Sequence, residues 1–178
     1  MKILVAEDDR HILDGLVEVF EDEGYETLTA RDGRKALKLF KTQQPDFVCL
    51  DVMMPGLSGY DVCKEIRAES NDVPIIFISA KSEEVDKVVG LELGADDYIP
   101  KPFGVREVIA RIRAVTRRTL AARRNRGEGA ERNRAFRFGD WEIVPDELRA
   151  RKGEEVIDLS LREVRILRLL AEHPGKVI

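Results

Sequence analysis

The chain has 178 residues, of which 43% are hydrophobic, and a formal net charge of −4. This length allows one large domain, or one ordinary domain plus part of another. No apolar run approaches the roughly 18 residues that a membrane-spanning helix needs. The first apolar run, Ile3 to Ala6, is too short for a signal peptide. The two cysteines, Cys49 and Cys63, do not suggest a disulfide framework or a metal cluster. We therefore expect a cytoplasmic protein with no membrane partner.

Charge is divided unevenly along the chain. Residues 1–119 hold 17 basic and 23 acidic residues, whereas residues 120–178 hold 13 basic and 11 acidic residues. This division suggests two units with different partners. The small positive balance of the second unit does not by itself indicate nucleic-acid binding.

Five strand-and-helix pairs are predicted between residues 1 and 119. Most of the strands are short, nearly continuous apolar runs, and each strand is followed by apolar residues at helical spacing. The predicted strands are Ile3–Ala6, Glu26–Ala30, Phe47–Leu50, Pro74–Ile78 and Asp97–Ile99. Apolar strands that alternate with helices indicate an α/β fold, with a parallel sheet covered on both faces. We expect the doubly wound strand order 2-1-3-4-5.

Charged and polar residues follow four of these strands. Glu7 and Asp8 follow the first strand, Asp51 the third, Ser79 the fourth and Lys101 the fifth. Asp51 alone could equally be a solvated acid at the start of a loop. In the expected strand order, however, all these residues meet at one edge of the sheet. Converging carboxylates need a cation, and Mg²⁺ suits carboxylates together with a phosphate oxygen. An ionised Asp can take up a phosphoryl group, so the pattern indicates an aspartyl-phosphate site.

The remaining chain predicts a linker and a small second unit. Apolar periodicity stops between residues 120 and 135, where arginines and glutamates are interleaved with glycines. This segment is predicted to be a flexible charged linker, and nucleic-acid contact by its arginines is the less favoured alternative. In residues 136–178, short alternating strands predict a small antiparallel sheet. Ser160 and Glu163 have capping-box spacing and open a helix. This unit is too short for a sizeable core and looks cut off.

Four motifs, ILVAEDD, LDVMMPGLSG, FISA and ADDYIPKPF, occur in this order in residues 1–119. Together they resemble the receiver domain of two-component response regulators. The resemblance implies that Asp51 accepts a phosphoryl group from a sensor histidine kinase. It implies Mg²⁺ binding by Glu7, Asp8, Asp51 and the backbone carbonyl of Met53. It further implies phosphate contacts by Ser79, Ala80 and Lys101, a switch pair of Ser79 and Tyr98, and a cis bond between Lys101 and Pro102.

Residues 136–178 resemble the amino-terminal strands and first helix of the OmpR/PhoB winged-helix effector. In that family the recognition helix and the wing follow this segment, so they would lie beyond Ile178. Readout of the major groove needs a recognition element. We therefore expect promoter binding and transcriptional regulation only from a complete effector domain.

The same resemblance predicts a homodimer through the fourth helix, the fifth strand and the fifth helix. Three charge pairs would cross a two-fold axis. These pairs are Lys87–Glu107, Asp97–Arg111 and Asp96–Arg118. The alternative is a solvated surface on which the same charges pair within one chain.

Two other classes of function compete with this interpretation. Haloacid-dehalogenase phosphatases also use an Asp nucleophile and Mg²⁺, but they place a second acid two residues further on. Here that position is Met53, which cannot act as a general acid. A binding module that never takes phosphate does not explain the acids, Ser79 and Lys101 together. We therefore predict a phosphoacceptor, not an enzyme, whose own dephosphorylation is slow.

Overall fold

A five-stranded parallel sheet organises the first part of the chain. The computed structural model describes residues 1–81, 84–126 and 134–174. The chain divides into two compact units, Met1–Arg111 and Ile112–Ile178. The strands of the first unit are β1 Lys2–Ala6, β2 Glu26–Ala30, β3 Phe47–Leu50, β4 Ile75–Ser79 and β5 Asp97–Pro100. All four pairings are parallel, in the order β2-β1-β3-β4-β5. The predicted doubly wound sheet is confirmed.

Helices follow the strands. They are α1 Arg10–Asp22, α2 Gly33–Gln43, α3 Gly59–Glu69, α4 Glu84–Glu92 and α5 Val105–Asn125. Three of them begin at an acidic or hydroxyl cap close behind a strand or its loop. The Asp9 carboxylate accepts the backbone N–H of Ile12, Asp32 caps α2, and Ser58 forms a capping box with Asp61. Such caps are worth about 1 kcal/mol each, and they start the helices at the edge of the sheet where the strands end.

The core of the first unit is built on the central strands. Side chains alternate between the two faces of a strand. Val48 and Leu50 of β3 join a buried cluster with Val62 and Ile66 of α3. Cys49, on the opposite face, is also buried, and it is a free thiol whose pKa is raised by burial. Asp51 thus follows a strand that is held on both faces.

Helix α5 runs further than the sequence pattern predicted. It continues past Leu120 to Asn125, into the segment predicted to be a linker. Residues 119–125 contain alanine, arginine and leucine, which favour helix, and no glycine or proline. The apolar spacing therefore stops near Leu120, but the residues that follow still favour a helix. Residues 127–133 of the predicted linker lie outside the described residues.

The second unit contains an antiparallel sheet and a helix. Its strands are β6 Phe136–Phe138, β7 Trp141–Val144, β8 Arg149–Lys152 and β9 Glu155–Asp158, paired in that order. Helix α6 spans Leu161–Glu172, and the predicted capping box of Ser160 and Glu163 is present. Gly139 and Gly153 adopt positive φ at the turns. The arrangement agrees with the amino-terminal part of a winged-helix domain. Among the described helices, none is long and apolar enough to cross a membrane.

Candidate phosphoacceptor site

Three carboxylates meet at the carboxyl edge of the parallel sheet. Strands β1 and β3 are neighbours, and the backbone N–H of Asp51 donates to the carbonyl of Ala6 at 2.8 Å. One carboxylate oxygen from each of Glu7, Asp8 and Asp51 lies within 4.8 Å of the others. Glu7 and Asp51 are 1% and 4% exposed, whereas Asp8 is more exposed than either. The structure therefore brings together the three acids predicted from the sequence.

Lys101 closes this acidic pocket from the end of β5. Its Nζ lies 2.6 Å from Glu7 Oε2 and 2.6 Å from Asp51 Oδ2. The backbone N–H of Lys101 donates to the carbonyl of Ser79 at 2.7 Å, which ties the end of β5 to β4. The Lys101-Pro102 peptide bond is cis. An ammonium group thus bridges the two buried carboxylates.

The electrostatics of the pocket follow from burial and from this bridge. Burial raises the pKa of Glu7 to about 7, and the charge of Asp51 adds to the rise, against the opposing effect of Lys101. Burial by itself would lower the pKa of Lys101, but its hydrogen bonds to Asp51 and Glu7 outweigh burial and raise that pKa. Lys101 therefore stays charged, while Glu7 titrates near neutral pH.

The donor set fits a hard divalent cation. Mg²⁺ takes oxygen ligands and usually keeps several waters, and Asp8, the most exposed of the three acids, leaves the cluster open to water. Met53, two residues after Asp51, donates its backbone N–H to Asp51 Oδ1 at 3.0 Å. The Met53 side chain is 57% exposed. Metal binding by its backbone carbonyl remains a prediction.

Gly59, a residue that the sequence interpretation did not single out, fixes the backbone of Asp51. Its N–H donates to the Val52 carbonyl at 3.0 Å. A Cβ at position 59 would overlap the carbonyl oxygen of Asp51 and lie 2.9 Å from its carbonyl carbon. Only glycine fits this close approach between the start of α3 and the phosphoacceptor. A glycine behind Ser58, at the start of a predicted helix, was the available signal.

The predicted switch residues Ser79 and Tyr98 are both buried. Ser79 is the last residue of β4, and its Oγ accepts the backbone N–H of Lys81 at 3.3 Å. The Tyr98 hydroxyl donates to the carbonyl of Lys81 at 2.7 Å. Both residues therefore contact the loop that leaves β4. Ala80, the other predicted phosphate contact, is exposed at the rim.

The predicted dimer residues show a mixed pattern of bonds within the chain. Arg111 binds Asp97 at 2.9 Å and Glu107 at 2.9 Å. Asp96 accepts from Arg67 at 3.2 Å and from the backbone N–H of Ile75 at 2.9 Å. Neither Lys87 nor Arg118 forms an ion pair with another described residue. Exposed apolar side chains beside these charges were missed in the sequence interpretation; on α4 they are Val85, Val88 and Leu91.

A doubly wound sheet with an acidic pocket at its topological switch point defines a receiver-type domain. The profile of the response regulator receiver domain matches residues 3–113. PhoP of Bacillus subtilis, an alkaline phosphatase synthesis transcriptional regulatory protein, is 43% identical over 99% of this chain and 74% of its own length. The response regulator MprA of Mycolicibacterium vanbaalenii is 38% identical over 100% of this chain and 75% of its own.

Solved structures of receiver domains are also similar to this chain. A receiver domain from Francisella response regulator 1452 is 39% identical, with a TM-score of 0.64, over 66% of this chain and 98% of that chain. The BeF3-activated DrrB receiver domain is 32% identical, with a TM-score of 0.59, over 67% of this chain and 97% of that chain. The chain belongs to the two-component response regulators of the OmpR/PhoB type, which regulate transcription. Receiver domains of this family are not conventional enzymes, and they bind Mg²⁺ at an acidic pocket.

Proposed function

We propose that Asp51 accepts a phosphoryl group from a sensor histidine kinase and that this phosphorylation activates the protein. The observation that supports this proposal is the position of the Asp51 carboxylate. It is nearly buried, bonded to Lys101 Nζ at 2.6 Å and grouped with Glu7 and Asp8. A carboxylate held beside a fixed cation is suited to in-line attack on a phosphoryl group that brings further negative charge.

The transfer exchanges one bond at phosphorus for another. A carboxylate oxygen of Asp51 attacks the phosphorus atom, and the bond from phosphorus to the histidine nitrogen of the kinase breaks. The electron pair of that bond returns to the imidazole. Lys101 moves its ammonium from Asp51 Oδ2 to a phosphoryl oxygen, and the Ser79 hydroxyl donates to a second one. Glu7, Asp8, Asp51 and the Met53 carbonyl would hold Mg²⁺, which when bound neutralises charge on the phosphoryl oxygens.

An apolar groove beside this pocket supports a protein as the phosphodonor. The groove has a volume of about 310 Å³ and lies between α1 and the start of α5. Ile12, Leu16, Val105 and Val108 contribute to its lining. Val105 is 54% exposed. Helix α1 follows Glu7 and Asp8, and the segment before α5 follows Lys101, so the groove is formed by elements that also carry residues of the pocket.

Activation is proposed to pair two receivers through α4, β5 and α5, with Lys87, Asp96, Asp97, Glu107, Arg111 and Arg118 at the contact. Promoter binding is assigned to a complete effector domain, of which the second unit resembles the amino-terminal part. The phosphatase alternative is not favoured, because the position two residues after Asp51 is the exposed thioether of Met53. The cytoplasmic location remains a prediction.

The first test is phosphorylation by acetyl phosphate with Mg²⁺, measured by intact mass. We expect one added phosphoryl group in the wild-type chain and none in Asp51→Asn. Asp8→Ala should lose most of the labelling, because the pocket loses its open metal ligand. Labelling that survives Asp51→Asn would refute the assignment of the phosphoacceptor, and normal labelling of Asp8→Ala would refute the metal site.

A further inference from the structure

Gly90 is the one residue of α4 that is buried. Glycine destabilises the interior of a helix relative to alanine, because its backbone loses more freedom on folding. A glycine at a buried helical position therefore calls for a packing reason. The neighbours of Gly90 supply one.

The ring of Tyr98 occupies the space where a side chain at position 90 would lie. A Cβ built on Gly90 would be 2.9 Å from Tyr98 Cδ2 and 3.2 Å from Tyr98 Cε2, and 3.1 Å from Phe77 Cδ2. Carbon atoms in favourable contact are about 3.5–4.0 Å apart. Phe77 in turn packs against Tyr98, with ring centroids 5.8 Å apart, and against Tyr60, at 5.2 Å. The ring of Tyr98 cannot easily retreat towards Phe77.

The buried position of the ring also fixes the hydroxyl of Tyr98. That hydroxyl donates to the Lys81 carbonyl at 2.7 Å, and the Lys81 N–H donates to Ser79 Oγ. A ring pushed outward by a side chain at position 90 would lose the bond to Lys81. The packing at Gly90 is thereby linked to the loop that carries Ser79.

We infer that Gly90 is a positioning residue for Tyr98: the missing side chain on α4 keeps open the space in which the tyrosine ring packs inward. The absence of bulk at position 90 thus allows Tyr98 to hold its buried position. This inference rests on the proposed pairing of Ser79 and Tyr98 as the switch. It gives α4 a part in the response to phosphorylation that needs no contact with the phosphoryl group.

The test is nitration of tyrosine by tetranitromethane in the Gly90→Ala variant, measured by peptide mass spectrometry. Tyr98 and Tyr25 are 5% and 4% exposed, so Tyr25 is an internal control. We expect nitration of Tyr98 to rise several-fold while nitration of Tyr25 stays unchanged. Gly15→Ala is the matched variant, because a Cβ on this glycine of α1 meets nothing within 4 Å. It should leave both tyrosines as in the wild type.

A second arm repeats nitration after treatment with acetyl phosphate and Mg²⁺. Phosphorylation should change Tyr98 nitration in the wild type, and Gly90→Ala should abolish that difference. Absence of a phosphoryl group on Asp51 would refute the proposed function. The unphosphorylated arm would still test Gly90. Wild-type Tyr98 nitration in a folded Gly90→Ala protein would overturn the inference.

Stability provides a readout if Gly90→Ala alone folds poorly. In a Tyr98→Leu background the ring is gone, so the Gly90→Ala change should cost much less stability there than in the wild type. The double variant Gly90→Ala/Tyr98→Leu should therefore fold. An equal loss of stability in both backgrounds, or an unfolded double variant beside a folded Tyr98→Leu, would overturn the inference.

Discussion

Glu7 is a buried acid that pairs with Lys101 and titrates near neutral pH. Its pKa of about 7 in the folded protein lies above the ordinary 4.5, so the folded state binds more protons between these values. The contribution of Glu7 to stability is therefore complete below pH 4.5 and is lost as pH rises through 7. Without metal, Glu7→Gln should stabilise the chain above pH 7 by about 1–3 kcal/mol. The substitution removes a buried negative charge, and Lys101 remains paired with Asp51.

The measurement is urea denaturation of both proteins at pH 4.5 and pH 8 without divalent cations. The stability difference between Glu7→Gln and the wild type should grow with pH. Glu18→Gln, a change of the same kind on the exposed face of α1, should show no such growth. A difference that is constant across this range would contradict the raised pKa of Glu7.

Met53 is predicted to prolong the life of the phosphoryl group. Hydrolysis needs a water molecule in line with the phosphorus atom. The thioether of Met53, two residues after Asp51, is only a weak hydrogen-bond acceptor and cannot position such a water. The ammonium of Lys81 is held at 3.4 Å from Asp86 and lies 5.7 Å from the centre of the Tyr60 ring. Met53→Asn should therefore speed dephosphorylation several-fold, and Met53→Leu should leave the rate unchanged. Phosphate release after removal of acetyl phosphate measures both, and equal rates in all three proteins would count against this role.

The secondary-structure elements that could be predicted are those marked by a pattern in their own residues. Strands β1, β3 and β4 are short apolar runs. The residues at or just behind the ends of β1, β3, β4 and β5 form the pocket, because parallel strands end at one edge of the sheet. The end of α5 could not be placed from apolar spacing, since helix propensity persists to Asn125. The bond of Lys101 to both Glu7 and Asp51 and the contact of Gly59 with Asp51 join distant residues. The spacing of residues in the sequence does not give the distance between their side chains in the folded protein.

The start of α3 is predicted to be a fixed support for the phosphoacceptor. Gly59→Ala would force its Cβ into the backbone of Asp51, which cannot give way as a flexible side chain could. We expect a loss of about 1–3 kcal/mol in stability, as for other overpacked sites. Labelling by acetyl phosphate should also slow in the folded fraction, because Asp51 is displaced from Lys101. Gly15→Ala should leave labelling unchanged and raise stability by about 0.5–1 kcal/mol, because alanine favours a helix interior over glycine. Normal labelling of Gly59→Ala would show that the contact does not position Asp51.

For the whole molecule, the proposed dimer depends most clearly on Lys87. Arg111 and Asp96 already have partners within the chain, so their pairs across the axis would exchange existing bonds. Lys87 has no ion pair with another described residue, and a two-fold axis would place it twice against Glu107, which Arg111 of the same chain also binds at 2.9 Å. Exposed pairs contribute about 0–1 kcal/mol each, so the dimer should be weak and weaken further with salt.

Sedimentation of the phosphorylated chain at low and high salt tests this dimer. Lys87→Glu should lose the dimer, and the exchanged pair Lys87→Glu/Glu107→Lys should regain it. Exposed Val88 and Leu91 on α4 would add apolar area to the same contact. A dimer that is indifferent to both charge variants would place the contact on another surface.

The bridge from Lys101 to two buried carboxylates affects the concentration of divalent cation that the protein needs. The ammonium is a tethered competitor, present beside its own binding site at high effective concentration. A divalent cation from solution must share the pocket with it or displace it. Where displacement is needed, the apparent dissociation constant is the intrinsic one divided by the fraction of molecules in which Lys101 has left. The strength of this internal pairing would thus set the cation concentration at which the protein becomes ready to receive a signal.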